Sequence, residues 1–292
     1  MDSQVLTTLQ ICEVMLDLRF NHNLVPISGM GRPIEMGSMM HRMLEPYYLA
    51  KRKGKNRNDA AAIAIQYGNL VITGCEACIK KECKEHKDPY MGLQATSPEE
   101  SHYVMDTFLQ YHEFWKNDSW TTLNVETVKG KVIYEDDELS LMWKAKIDWE
   151  VDNLEGIFSV DHKTMSRRED TLSLNNQFIG QCVVTNQTKM FENKIGWQKT
   201  LKPNEKFERV ALNYSKERIA EWIIETASYA YDLAALQEGK RYRHKFTSCS
   251  RKYGPCIFRK VCEGQPVDRE RLLKEQFKVA ERVWDVPLDD TP

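Results

Sequence analysis

The chain has 292 residues, with 41 Lys and Arg against 43 Asp and Glu, a formal net charge of −2 and 41% hydrophobic residues. That balance excludes an intrinsically disordered chain, and no apolar run approaches the roughly 18 residues of a membrane span; the longest comparable run is Ala60 to Ile65. The length is enough to bury a full core without metals or disulfides, and an opening Met1-Asp2-Ser3-Gln4 with no basic and no apolar region predicts no export signal and a cytoplasmic protein.

In chain order, residues 2 to 20 read as helix, and Gly37 to Tyr48 as a second helix with Met40, Met43, Leu44 and Tyr47 at helical spacing and His41 on it. Lys51 to Arg57 is a basic loop, a solvated connection or a phosphate contact. A third helix starts near Asp59 and runs towards a cysteine loop, and Ser97-Pro98-Glu99-Glu100 opens a helix reaching Trp115. From Leu123 to Lys163 the period changes to two, predicting a strand meander with turns at Lys129-Gly130 and at Asn153 to Gly156. Gln177 to Thr185 reads as helix and Lys194 to Asn213 as strand. Ser215 caps a long helix that buries Ile219, Trp222, Ile223, Thr226, Ala230 and Leu233. The whole reads as one α/β domain over 1–292, with a small metal-bearing insertion near 51–96 and a C-terminal cysteine segment at 240–265.

Eight cysteines in a reducing compartment are read as metal ligands or buried apolar residues before disulfides. Cys75, Cys78, Cys83 and His86 form C-x2-C-x4-C-x2-H, a closed tetrahedral set for zinc, although a polar surface loop rich in lysine is the plainer reading. Cys249, Cys256 and Cys262 are short by one ligand. Cys12 is the candidate fourth, because Cys182 is set beside Val183 and Val184. Four thiolates suit zinc or an iron–sulfur cluster, and spacing does not choose between them.

The hairpin from Leu139 to Lys163 carries the chemistry. Alternation puts Leu139, Leu141, Trp143, Ala145 and Ile147 on the buried face and Lys144, Lys146 and Asp148 on the other. In the returning strand Phe158, Val160 and His162 share a face, with Asp161 and Lys163 opposite. Positions 148 and 161 are equidistant from a turn at Leu154–Glu155, so Asp148 is expected beside Asp161. Two adjacent carboxylates repel unless a cation lies between them, and a divalent ion there with Lys163 alongside suits phosphodiester hydrolysis. An isolated Asp-x-Lys is common on solvent-facing strands; the second Asp, thirteen residues upstream, is what gives this one weight.

The order Gly37-x3-His41, Ile147-Asp148, Val160-Asp161-His162-Lys163-Thr164 and Gln177-x2-Gly180, bracketed by Cys12 and by Cys249, Cys256 and Cys262, resembles the PD-(D/E)XK nuclease superfamily. Within it the chain is similar to the RecB-like branch, which includes AddB, the iron–sulfur-bearing CRISPR-adaptation exonucleases and phage exonucleases. The resemblance implies a restriction-endonuclease-like central mixed sheet flanked by helices. It assigns Mg2+ or Mn2+ to His41, Asp148 and Asp161, catalytic assistance to Lys163, a part in the site to Gln177, and a [4Fe-4S] cluster to Cys12, Cys249, Cys256 and Cys262. Glu126, in Val125-Glu126, matches a pair that recurs in phage-type members. Ile147 stands where the superfamily name has proline, and Gln181 where the family has tyrosine; a Gln there can still contact a phosphate or base. The Cys75-to-His86 insertion is not part of the usual pattern.

The activity this resemblance implies is that of a metal-dependent DNA exonuclease, more an exonuclease than an endonuclease, acting on single-stranded ends in recombination, repair or replication. A helicase, recombinase or single-strand-binding protein would work beside it, in a bacterial or phage-infected cytoplasm. Gln181 and the near-neutral charge motivate the alternative, a catalytically inactive nuclease-fold protein that binds nucleic acid or serves assembly.

Overall fold

The computed structural model describes residues 1–28, 32–73, 98–165, 173–251 and 254–280. Cys75, Cys78, Cys83 and His86 lie outside the described residues, as does the capping Ser97. The N-terminal helix is divided: α1 (Ser3–Ile11) and α2 (Glu13–Leu16) are separated by Cys12, whose backbone is extended, and a π-helical turn comes next at Asp17–Asn21. Beyond it are β1 (Leu24–Pro26), α3 (Arg32–Arg52), α4 (Arg57–Thr73) and α5 (Pro98–Phe114). Helix α3 is longer than the sequence predicts at both ends and runs through Pro46. Only residues 53 to 56 are left as a loop, because Lys51 ends α3 against the rings of Tyr47 and Tyr48, and Arg57 opens α4 bonded to the carbonyl of His112.

The main sheet contains β2 (Thr121–Glu135), β3 (Ser140–Asp152), β4 (Ile157–Met165), β5 (Lys189–Gly196) and β6 (Phe207–Asn213) in spatial order 2-3-4-5-6. Every pairing is antiparallel except β4 with β5, whose connection passes through α6 (Asn176–Val184). No turn forms at Lys129-Gly130. Gly130 pairs with Lys144 inside one long strand, and the chain reverses at Asp136 to Leu139, where the Asp136 carboxylate accepts from the amides of Glu138 and Leu139. The stretch expected as strand from Lys194 to Asn213 is two strands, split by a short helix α7 (Pro203–Lys206).

Helices cover both faces of the sheet. On one, α3, α4 and α5 bury Met40, Met43, Leu44, Ala60, Ala61, Ala64 and Phe108 against Trp149, Val151 and Val160. On the other, α6 and α8 (Lys216–Gln237) bury Phe178, Ile179 and Trp222 against Trp143 and Ile147. Thus α4, which lies within the span expected as an insertion, belongs to the principal core. Ser215 caps α8 by accepting from the amide of Arg218, and Trp222, Thr226 and Ala230 are buried as their spacing predicts, whereas Ile219, Ile223 and Leu233 are only half-buried.

Residues after α8 fold back on the N-terminus. They form β7 (Ser250–Arg251), β8 (Gly254–Pro255), α9 (Arg259–Glu263), α10 (Arg269–Gln276) and β9 (Phe277–Val279), and β9 pairs antiparallel with β1. No helix among the described residues is long and apolar enough to cross a membrane.

Candidate functional site

Strand β3 turns over at Asp148. Trp143 and Ile147 face α6 and α8, whereas Trp149 and Val151 face α3 to α5, although spacing of two would keep all four on one side. The ladder is irregular on both flanks of this point. Opposite it in β2, Glu126 has φ +55, a left-handed backbone sparsely populated by residues other than glycine. Towards β4, regular pairing ends at Trp149 with Val160, and the Asp148 carboxylate accepts from the backbone N–H of His162 at 2.9 Å. The acid therefore occupies the place of a ladder hydrogen bond, next to Asp161 as the hairpin symmetry predicts.

Around Asp148, the ligand atoms of His41, Glu126 and Asp148 lie within 4.8 Å of one another. His41 Nδ1 is 3.6 Å from Asp148 Oδ2, and Glu126 is also ion-paired with Lys146. Helix α3 reaches this position because residue 37 is glycine: a Cβ there would stand 2.6 Å from Thr164 Oγ1 on β4. The Asp148 carboxyl is pushed well above the usual range by burial, then by the charges of Asp161 and Glu126. His41 is pushed down by burial, which favours the neutral imidazole that binds metals. A half-buried acid held against two like charges, with a neutral imidazole beside it, is a donor set that a divalent cation satisfies.

Asp161 is fully buried and has its own set of donors. Its Oδ1 accepts from Gln177 Nε2 at 2.6 Å and Gln181 Nε2 at 2.9 Å, and Oδ2 is 2.7 Å from Lys163 Nζ. Lys163 donates also to Gln177 Oε1 at 2.8 Å. Burial opposes its charge, but the attraction and hydrogen bond of Asp161 outweigh that and raise its pKa, so it is an ammonium at neutral pH. Gln181 is fully buried, out of reach of a phosphate or base; it positions Asp161 instead. Asn175 caps α6 by accepting from the Gln177 amide, which aims that side chain into the site.

The structure therefore brings together His41, Asp148, Asp161, Lys163 and Gln177. It adds Glu126 to the innermost three-residue group, where the sequence predicts Asp161. The signal for Glu126 was its match to the Val-Glu pair of phage-type members, which marks the residue but does not reveal its left-handed backbone or its place beside His41. On the other side of Asp161, His162 is buried beside the rings of Tyr48 and Trp149, which stack on each other at 3.9 Å, and is bonded to Asn193, which also bonds Tyr111.

The second grouping forms at the chain ends. Cys12, Cys249, Cys256 and Cys262 line one small pocket with Met15 and Phe258. The break between α1 and α2 presents Cys12 to this pocket, and the Cys256 amide bonds the Cys249 carbonyl. No three of these sulfur atoms lie within 4.8 Å of one another. The Cys262 thiol is pushed up to about 11, first by burial and then by Cys256, Cys249 and Cys12. Cys182, set apart against Ile179 and Trp222, is pushed up to about 12 by burial alone and is a core residue.

No family model matches the chain, and no curated protein matches it by sequence. Among solved structures, one titled "Crystal structure of SSO0001" aligns over 67% of this chain and 83% of its own, at 14% identity and a TM-score of 0.35. A likeness of that size does not establish a shared fold.

Proposed function

We propose that the protein is a divalent-metal-dependent deoxyribonuclease with a restriction-endonuclease-like fold, of the RecB-like branch of the PD-(D/E)XK superfamily. It would act as an exonuclease on single-stranded DNA ends in recombination, repair or replication. The observation that carries this reading is the pair of carboxylates on adjacent strands, half-buried Asp148 and fully buried Asp161, with the Lys163 ammonium on Asp161 and His41 on Asp148.

His41, Glu126 and Asp148, with Asp161 beside them, would hold Mg2+ or Mn2+; the imidazole favours manganese over an all-oxygen site. The bound ion supplies Lewis-acid polarisation of a phosphate and a more acidic water. The chain's own residues do the rest. Lys163, about one-third exposed, is positioned by Asp161 and Gln177 to orient a water or balance charge developing on phosphate oxygens. Gln177 and Gln181 fix Asp161 in one rotamer, so that this end of the site needs no reorganisation.

The test is incubation of end-labelled linear and closed circular single-stranded DNA with manganese, magnesium or chelator, beside Asp161→Ala and Lys163→Ala. Loss of the linear substrate alone, only with metal and in neither variant, is the expected result. Cutting of circles would make it an endonuclease. Retention of DNA with no cutting under any condition would replace this reading with an inactive binding protein.

For the cysteines, the proposal is a four-iron cluster on Cys12, Cys249, Cys256 and Cys262, and zinc on Cys75, Cys78, Cys83 and His86. The four cysteines of the first set line one small pocket, which supports a single group held by all of them. Anaerobically purified protein is expected to be brown and to contain iron, sulfide and zinc. Cys256→Ala should lose the iron alone, and Cys78→Ala the zinc alone. Colourless wild-type protein containing only zinc would remove the iron–sulfur assignment.

A further inference from the structure

Between α8 and the cysteine nest the chain reads Lys240-Arg241-Tyr242-Arg243-His244-Lys245-Phe246, five basic residues and two aromatics with no acid, in a protein of net charge −2. Lys240 to Lys245 are in neither helix nor strand, and their exposure alternates. Arg241, Arg243 and Lys245 are exposed, while Tyr242 and His244 are half-buried. Tyr242 is an anchor, packed with Leu9, Leu16 and Leu236 and accepting from Asn21 Nδ2 at 2.7 Å. Phe246 has no such role. It is 76% exposed, and its ring is stacked on His244 at 5.5 Å and 2°. A large apolar ring held flat in water beside a row of cations has the make-up of a platform for an unpaired base, with phosphates on the cations.

The segment is also linked to the catalytic pocket by a short chain of hydrogen bonds. Lys245 Nζ donates to the Gln10 carbonyl at 2.9 Å, Gln10 Oε1 accepts from Asn176 at 3.0 Å, and the next residue, Gln177, holds Lys163. Arg243 is ion-paired with Glu13 through Nε at 2.8 Å and through Nη2, and its backbone N–H bonds the same carboxylate, which holds the segment against α2.

We propose that Arg241 to Phe246 is a track for single-stranded nucleic acid running from the catalytic pocket over the end of α1, with Arg241 and Lys245 on phosphates and the Phe246–His244 pair stacking a base. The nature of the partner rests on the nuclease reading, but binding in chelator does not require cleavage, so the two can fail separately.

The experiment is fluorescence anisotropy of a labelled oligothymidylate with the full-length protein in chelator over a salt series. Phe246→Ala should weaken binding by about tenfold, and Phe246→Trp should restore it. Arg241→Ala with Lys245→Ala should flatten the slope of log K against log salt by about 1.4, roughly 0.7 per phosphate contact on a single strand. Lys216→Ala with Arg218→Ala, an equal charge change at the exposed start of α8, should leave both quantities unchanged. Wild-type affinity in Phe246→Ala, an equal loss in the α8 double variant, or competition by blunt duplex DNA as effective as by oligothymidylate would each overturn the proposal. Failure of the nuclease reading alone would appear as unaltered variant effects on binding with no cleavage.

Discussion

Arg209 is an instance of a charge that the fold, and not the solvent, must satisfy. Its guanidinium stands 3.9 Å from the ring centre of Trp115 and 4.1 Å from that of Trp120, and donates to both oxygens of Asp118 at 2.9 and 2.8 Å. Both partners are buried, so removing one leaves the other uncompensated. Asp118→Ala should cost about 3–5 kcal/mol in denaturant unfolding, far more than loss of an exposed ion pair. A change below about 1 kcal/mol would show that Arg209 finds other solvation. The residues of the candidate site divide differently. Asp148, Asp161 and Lys163 were legible from their types and spacing, because a short hairpin dictates neighbours, whereas His41 was placed with them only by the family resemblance. Gln181 was legible only as a departure from a pattern; that its amide bonds Asp161 depends on how tightly α6 sits on the sheet.

That packing is set by Gly180. A Cβ at this position would collide with the indole of Trp143 in β3, so α6 approaches the sheet as closely as it does only because the side chain is absent. Alanine is the better helix former by about 1 kcal/mol, but forcing a methyl group into a filled core costs about 1–3 kcal/mol. Gly180→Ala is therefore expected to lower the melting temperature and, on the proposed nuclease reading, to lower the rate of metal-dependent cleavage by displacing Gln177 and Gln181 from Asp161. A variant as stable and as active as wild type would mean that α6 can slide without consequence. Elements were legible where a cap or a period marked them, as with Ser215 at α8. The turn expected at Lys129-Gly130 was misplaced because a glycine inside a long strand gives the same local signal as a turn; only pairing with Lys144 on β3 decides.

Across the whole molecule, the N- and C-terminal segments are one unit. β1 pairs with β9, Met15 packs with Phe258 and Phe277, and Glu13 on α2 binds Arg243. The Glu13 carboxyl is held below its ordinary value of 4.5, chiefly by the Arg243 side-chain hydrogen bond, with burial opposing. A carboxyl with a lowered folded-state pKa contributes stability above its unfolded pKa and loses it as the pH falls through the folded value. Glu13→Gln should therefore be less stable than wild type at neutral pH, and the gap should narrow as the pH falls below the ordinary carboxyl range. A gap that stays constant with pH would show that the pair contributes no linkage. An iron–sulfur cluster in the adjacent pocket would add to the same closure, so loss of iron in Cys256→Ala should be accompanied by a lower melting temperature.

Local pattern in the chain was enough for the α/β class, the hairpin that sets Asp148 beside Asp161, the helix that carries His41, and the grouping of Cys12 with three distant cysteines. Periodicity and capping are properties of a short segment, and the count of unassigned thiols is simple elimination. Long-range packing settled three further points: Glu126 joins His41 and Asp148, Gln181 turns inward to Asp161, and β3 changes face between Ile147 and Trp149. Those three depend on a left-handed residue, a missing Cβ and a ladder interrupted by a carboxylate. Each is fixed by what the neighbouring strand or helix allows, and leaves no period in the chain to read.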